Sequence, residues 1–284
     1  MATLPRESKY RHIFHETATN TNCYTDINPD VFGDSQHIAT NGKYWAVPIQ
    51  AGGGGSFMVH NLEDTGRIQR EHPLFKYHTA RILELSFSKF NDNIIASSSD
   101  DCSVRVCNFP EEMTDNIMKE DVLLNGHSKK VTDLSWHNTA NNVLASSSAD
   151  KKVIIWDVEV GEEAIVIEDH EDLVYSIVWN DNGRYFGSSC QDRLIRILDP
   201  RDENASVLST IGHENKKMSR VFWLNNRNMI GSVGFTKDSY RELAFFDLRK
   251  IEEAFLKKRL DRQTSKFFPY FEEGNDILFL SGFY

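Results

Sequence analysis

The sequence is poor in cysteine and proline, short of basic charge, and has no long apolar run. Its four cysteines, Cys23, Cys102, Cys107 and Cys190, form no C-x-x-C pair and no zinc-finger spacing. A disulfide framework or a metal knuckle is therefore excluded, and small, half-buried apolar thiols in a reducing compartment are expected. Seven prolines and 16 glycines are too few for a collagen-like or linker chain. The longest apolar stretches, Val153-Ile154-Ile155-Trp156 and Ile277-Leu278-Phe279-Leu280, are one strand long, far short of the roughly 18 residues of a membrane helix. Met1 to Glu7 has no apolar core for a signal peptide, so Asn204-Ala205-Ser206 reads as a chance glycosylation sequon. With 32 basic against 42 acidic side chains and a net charge of −10, a general nucleic-acid binder is disfavoured, because that needs a basic footprint. A local basic patch stays open.

What the chain does have is an internal period. Its 284 residues suggest two domains by size alone, but repeat folds exceed that size as single units. His78, His127, His170 and His213 recur at steps of 43 to 49 residues. Each of the first three lies 28 or 29 residues before a strand-ending position held by Cys107, Trp156 or Leu198. Asp101, Asp150 and Asp192 each lie six residues before that position. Ile94 to Ser99 is nearly copied at Val143 to Ser148. A period of about 40–45 residues ending in Trp-Asp is the sequence form of a four-stranded propeller blade. Short alternating strands with Asn, Asp and Gly turns, such as Asn180-Asp181-Asn182-Gly183, agree with an all-β fold. A degenerate early unit runs from Cys23-Tyr24 to Phe57–Leu62, a fifth from His213 to Asp247, and a partial sixth from Phe267 to Ser281. The expectation is an all-β WD-repeat β-propeller of five blades plus part of a sixth, a single domain over residues 1–284. Ile251 to Leu260 carries some helical spacing, but the repeat register places an outer strand within Ala254 to Leu260.

A His, a Ser, an Asp and a Trp in one repeat invite a catalytic-triad reading. Recurrence argues against it, since an active site is needed once and a structural unit in every blade. His78–Asp101, His127–Asp150 and His170–Asp192, with Ser146 and Trp156 in the clearest repeat, are instead expected to form buried hydrogen-bond chains running Asp to His to Ser to Trp. Where Cys107 and Leu198 replace Trp, the last link is missing. Gly52 to Gly55 does not fit a nucleotide-binding pattern and reads as a close-packed turn before Phe57. Asp100-Asp101 and Glu272-Glu273 read as turn residues. No constellation calls for an enzyme, a metal or a cofactor. Lys129-Lys130, Lys151-Lys152, Lys216-Lys217 and Lys257-Lys258-Arg259 fall at comparable places, mostly turns. They imply either a basic rim for an acidic partner or merely solvated turns.

Ser8-Lys9-Tyr10-Arg11-His12-Ile13-Phe14, Asn22-Cys23-Tyr24-Thr25-Asp26-Ile27, Ala51 to Phe57, Thr65 to Ile68, Ile195 to Arg201, Gly212-His213-Glu214 and Gly234-Phe235-Thr236 together resemble the coronin family, in order, from about residue 8 to 282. The resemblance implies a seven-bladed propeller followed by a linker and a coiled coil. It also implies non-enzymatic binding to actin filaments, together with other cytoskeletal proteins such as a filament-nucleating complex and a severing factor. Localisation would be the cytoplasm, at the actin cytoskeleton and cell cortex. The family commonly has a basic residue where this sequence has Asn28, and a missing cation there puts the load on Arg6, Lys9 and Arg11 and on the turn lysines Lys129, Lys130, Lys216 and Lys217. Where the family continues, this sequence stops at Gly282-Phe283-Tyr284, as a truncated product, a splice form or an incomplete gene model would. Coiled-coil oligomerisation is then not expected. The alternative is a general WD-repeat protein-interaction scaffold without actin binding. A hydrolase on a propeller would need one unrepeated acid/base constellation, and none is seen.

Overall fold

A computed structural model describes residues 19, 22–31, 36–50, 54–202, 206–263 and 265–282. Arg6, Lys9 and Arg11 lie outside the described residues, as do Ser8 to Phe14 and Gly52-Gly53. Antiparallel sheets follow one another along the chain, and each is one blade. Blade 1 has three strands, Ala39–Thr40, Tyr44–Ile49 and Ser56–Asn61. Blade 2 runs through Ile82–Phe87, Ile94–Ser99, Ser103–Asn108 and Val122–Asn125. Blade 3 is Val131–Trp136, Val143–Ser148, Val153–Asp157 and Glu162–Ile167. Blade 4 is Val174–Trp179, Phe186–Cys190, Leu194–Leu198 and Ser206–Ile211. Blade 5 is Arg220–Leu224, Met229–Phe235, Arg241–Asp247 and Leu256–Arg259. A pair, Phe267–Glu272 and Ile277–Gly282, begins blade 6. Within a blade the strands are called a to d in chain order. Leu256–Arg259 pairs with strand c of blade 5, so the repeat register prevails over the helical spacing of that segment. A parallel pair, Tyr24–Thr25 with Gly66–Arg67, flanks blade 1.

The a strands of successive blades pack side by side, from blade 1 through blade 6. The apolar cores lie between adjacent blades: Phe57, Phe75, Ile95 and Phe109 fill the space at blades 1 and 2, and Trp136, Leu144 and Trp156 that at blades 2 and 3. Burial of both sheet faces is why the b and c strands read as nearly continuous apolar or small-residue runs. Tryptophans closing the a strands also tie neighbours together. The Trp136, Trp179 and Trp223 indole N–H groups donate to the carbonyls of Ser86, Ser135 and Val178, each in the preceding blade's a strand, at 3.0, 3.2 and 2.8 Å. Each staple satisfies a buried donor and fixes one blade against the last.

The sheets alternate strand direction, so the d-to-a and b-to-c connections of every blade gather on one face. That face, called the da/bc face below, carries the histidines, the turn aspartates and most of the paired lysines. Gly54 and Gly55 approach it in blade 1. A Cβ on Gly55 would lie 2.0 Å from the Ala80 carbonyl oxygen, and Gly54 has φ +140° with its Cβ position 2.8 Å from the His78 carbonyl oxygen. Only glycine lets this turn lie against the backbone entering blade 2.

Candidate protein-binding face

In blade 3 the polar chain is complete. His127 Nδ1 is 3.0 Å from Asp150, His127 Nε2 is 2.8 Å from Ser146 Oγ, and the Trp156 indole N–H donates to Ser146 Oγ at 2.8 Å. Asp150 also accepts from the amides of Ser128 in the d-to-a loop and Lys152 in the b-to-c turn. One carboxylate thus clamps both loops of the face. Burial opposes its ionisation, but the His127 hydrogen bond and these amides outweigh it and hold Asp150 down at about 2. Lys151, the next residue, takes a left-handed φ of 77°, as Cys102 and Arg193 do at the same place in blades 2 and 4.

Blade 2 repeats the arrangement with His78 2.9 Å from Asp101 and 2.8 Å from Ser97. Asp101 is again held well below the usual carboxylate range. Its burial is outweighed by hydrogen bonds from His78 and Ser103. Cys107 stands where Trp156 stands, and the Tyr77 hydroxyl lies 3.4 Å from Ser97 Oγ in place of the indole. Burial pushes the Tyr77 phenol up and keeps it protonated. Blade 5 keeps the histidine but moves the acid: His213 is 3.0 Å from Glu242, on strand c, and 2.6 Å from Ser232.

The expectation for blade 4 is corrected. His170 reaches Ser188 at 2.8 Å, but its buried Nδ1 has no hydrogen-bond partner among the described residues. Asp192 is instead 2.7 Å from Arg196, four residues on. Arg105, at the equivalent place in blade 2, lies 3.2 Å from Glu120 and 3.9 Å from Asp101, which leaves Asp101 to His78. In blade 4 Arg196 takes the aspartate. Burial, aided by the Arg196 charge, lowers His170 to about 4, so this ring is neutral at physiological pH.

The Ser-Ser-Ser runs now have three separate tasks. The first serine serves the histidine. The second differs between blades: Ser98 Oγ donates to the Val131 carbonyl of the next blade, as Ser189 Oγ in the Ser188-Ser189-Cys190 run does to that of Ser219, whereas Ser147 Oγ meets Thr132 Oγ1 of its own blade. The third closes the blade's own loop, Ser99 to the Ala80 carbonyl and Ser148 to that of Lys129. All are fully buried, and each has a partner, as burial of a hydroxyl requires.

Deeper in the channel the a strands contribute a charged cluster absent from the sequence reading. The Arg220 guanidinium of blade 5 lies 3.2 Å from Glu84 of blade 2 and 3.5 Å from Asp133 of blade 3, with its carbon 5.0 Å from the Phe268 ring centre. Register shifts between Ile82 and Glu84, and between Val131 and Asp133, mark the bulges that turn both carboxylates inward. Burial pushes Glu84 up to about 7, opposed by Arg220 and reinforced by Asp133. Asp133 is raised for the same reason.

The lysines divide. Lys129 and Lys130 lie in the d-to-a loop entering blade 3, and Lys216 and Lys217 in that entering blade 5. Among the described residues none of the four takes part in an ion pair with a carboxylate. Lys152 is paired with Glu168 at 2.6 Å. Lys257, Lys258 and Arg259 leave the pattern: they lie on the exposed outer strand of blade 5, where Lys257 donates to the Gly212 carbonyl. Asn28 is exposed beside the end of strand b of blade 1. Its carbonyl accepts from the Gln50 amide at 3.1 Å and its side-chain amide lies 3.4 Å from the Gln50 amide oxygen.

Successive antiparallel sheets, four-stranded in blades 2 to 5, with a His–carboxylate–Ser chain in blades 2, 3 and 5, define a WD-repeat β-propeller. The comparisons agree. The family described as WD domain, G-beta repeat matches residues 70–108, 119–157 and 161–199, and the Domain of unknown function (DUF1899) matches residues 4–67. The crystal structure of the WD40 domain from Toxoplasma gondii coronin superposes with a TM-score of 0.86 at 30% identity, over 91% of this chain and 67% of that one. A coronin-like protein of Saccharomyces cerevisiae is 36% identical over 98% of this chain and 44% of its own length. Coronin-A of Dictyostelium discoideum is 37% identical over 99% of this chain and 63% of its own. The chain belongs to the coronin family. It spans less than two thirds of the length of these two relatives.

Proposed function

We propose that this chain binds actin filaments, without catalysis, through the da/bc face of its propeller. The supporting observation is the set Lys129, Lys130, Lys216 and Lys217, three of them exposed and Lys130 half-buried, which stand without carboxylate partners among the described residues on loops clamped by Asp150 and by Asn215. On a chain of net charge −10, such a rim is suited to a local acidic surface, and pre-set loops lose little freedom on docking. Residues 1–284 act as one propeller unit in this reading, which places the chain at the actin cytoskeleton and cell cortex. Other cytoskeletal proteins share its surface, and no cofactor takes part. Asn28 lies on the same face and offers an amide where the family carries a cation.

The test is co-sedimentation with filaments at two salt concentrations. Reversing Lys129 and Lys130, or Lys216 and Lys217, to glutamate is expected to weaken pelleting about tenfold at low salt, one to two contacts' worth of interfacial charge. Asn28→Arg is expected to strengthen it. Soluble, monodisperse protein that fails to pellet at low salt overturns the reading.

A further inference from the structure

His60, near the end of strand c of blade 1, meets His72, in the segment that leads into blade 2. His60 Nδ1 lies 3.0 Å from His72 Nε2, and the ring centres are 5.1 Å apart, so the rings meet nearly end to end. The outer nitrogens reach backbone oxygens. His60 Nε2 is 2.8 Å from the Asp64 carbonyl oxygen, and His72 Nδ1 is 2.8 Å from that of Pro73. A carbonyl oxygen only accepts, so both outer nitrogens carry protons. Two neutral imidazoles have one N–H each, and both are then in use. The inner nitrogens would face each other at 3.0 Å as two lone pairs, which repel. One additional proton between them turns that contact into a charge-assisted hydrogen bond and satisfies all three contacts. A further proton would set two N–H groups head to head on adjacent cations, so it is disfavoured.

His72 opens the stretch that serves blade 1 as a fourth strand. The Phe57 amide donates to the Phe75 carbonyl at 3.2 Å, and the Phe75 amide donates back to the Phe57 carbonyl at 2.9 Å. Their rings, both fully buried, stack with centres 4.4 Å apart. The same stretch also holds blade 2: the Lys76 amide donates to the Ile117 carbonyl at 2.8 Å and the Ile117 amide to the Leu74 carbonyl at 3.0 Å. Ile117 lies in the c-to-d connection of that blade. A bond between His60 and His72 therefore ties strand c to the stretch that joins blades 1 and 2.

The groups facing the pair come from three elements. Tyr24 of the flanking parallel pair and Trp45 of strand b place their rings 5.8 and 5.6 Å from that of His60. Asp64 is the acid in the turn after strand c. Arg70 and Glu71, just before His72, are exposed. Burial lowers His72 and the neighbouring His60 adds to this, against the Pro73 carbonyl and the Asp64 charge. His72 thus resists a full proton of its own beside a charged His60.

We propose that His60 and His72 form a binding site for a single shared proton, and that this proton fastens the junction of blades 1 and 2. The unfolded chain has two independent histidines that titrate at about 6.5. Above that range the folded pair keeps a proton that the unfolded chain has released, so its contribution to stability is lost as pH rises. Below it the unfolded chain takes a second proton that the pair refuses, so the contribution is lost as pH falls. Stability from the pair is therefore greatest when it holds one proton. His60 lies at the end of strand c remote from the da/bc face, so its proton chemistry is independent of filament binding.

The test is nuclear magnetic resonance of the ring protons of the whole chain over about pH 4–9. His60→Gln and His72→Gln assign the two signals, and circular dichroism confirms that both variants are folded. In the parent, both rings are expected to move in one shared transition, each through about half the amplitude of a lone ring, with the second step at least about one unit lower. In each variant the remaining ring is expected to titrate in a single step of full amplitude. The melting temperature of the parent relative to each variant is expected to be highest between about pH 5 and 7 and to fall on both sides. Three results overturn the shared proton: two full-amplitude titrations in the parent that match those of the variants, a stability difference that is flat with pH, or loss of both titrations at micromolar zinc, which would make the pair a metal chelate.

Discussion

Arg220 on strand a of blade 5 and Glu84 on strand a of blade 2 meet across the channel at 3.2 Å, 136 residues apart in the chain. Asp133 of blade 3 shares the same guanidinium. One cation serving two buried acids joins three blades directly, in contrast to the tryptophan staples, which join neighbours only. Arg220→Met is therefore expected to cost about 3–5 kcal/mol, since it strands two carboxylates away from water. Urea denaturation followed by tryptophan fluorescence measures the loss. Adding Glu84→Gln to Arg220→Met is expected to recover part of it, because only one buried charge then remains; an unchanged or larger loss would mean that the charges are not what the arginine offsets.

The same cluster sets a pH dependence with an unusual sign. Glu84 is raised to about 7, burial being the chief cause. Between the ordinary carboxylate range and pH 7 the folded chain therefore holds a proton that the unfolded chain has released. Its contribution is present at low pH and is lost as pH rises through 7. Other groups, His170 among them, titrate in the opposite direction, and His37 faces Arg220 and Asp30. The difference between the parent and Glu84→Gln isolates the effect. Relative to the variant, the parent is expected to lose stability between pH 5 and 7.5, by up to about 3 kcal/mol. Thermal melts across that range measure it.

The serines at the heart of the blades test whether the polar chains act as units. Ser146→Ala leaves both the His127 ring nitrogen and the Trp156 indole N–H without their partner, an expected cost of about 2–3 kcal/mol. Ser188→Ala removes the partner of His170 alone, in a blade whose far nitrogen already lacks one, and is expected to cost about 1 kcal/mol. Equal losses in chemical denaturation would show that the chain in blade 3 has no cooperative value.

What the sequence made legible was what recurs locally. The His–Asp spacing, the turn after each aspartate and the outer strand at Leu256–Arg259 all follow from a period that every blade must satisfy. The Glu242 partner of His213 escaped the same ruler because it lies beyond a longer turn, on strand c, where only strand register brings it under the histidine. The Arg220 cluster escaped because no local pattern relates positions 84, 133 and 220; the curvature of successive blades brings them together. The breakdown in blade 4 was readable in principle. Asp192 and Arg196 stand four residues apart across a turn and a strand start, and an arginine that close competes for the carboxylate unless a second acid, like Glu120 in blade 2, draws it away.

That competition yields a direct spectroscopic prediction. Arg196→Met removes the cation that holds Asp192 and fits the side chain's volume into the space between blades. Asp192 is then free to face His170 as Asp150 faces His127. The His170 ring, now at about 4 through burial and the Arg196 charge, is expected to titrate at least one unit higher, since a cation is lost and a hydrogen-bonded carboxylate gained. Nuclear magnetic resonance of the ring protons over pH 3–8 measures this, with the His127 signals as the internal reference. A His170 titration that stays near 4 would show that backbone geometry in the blade 4 turn, and not the arginine, keeps Asp192 from the histidine.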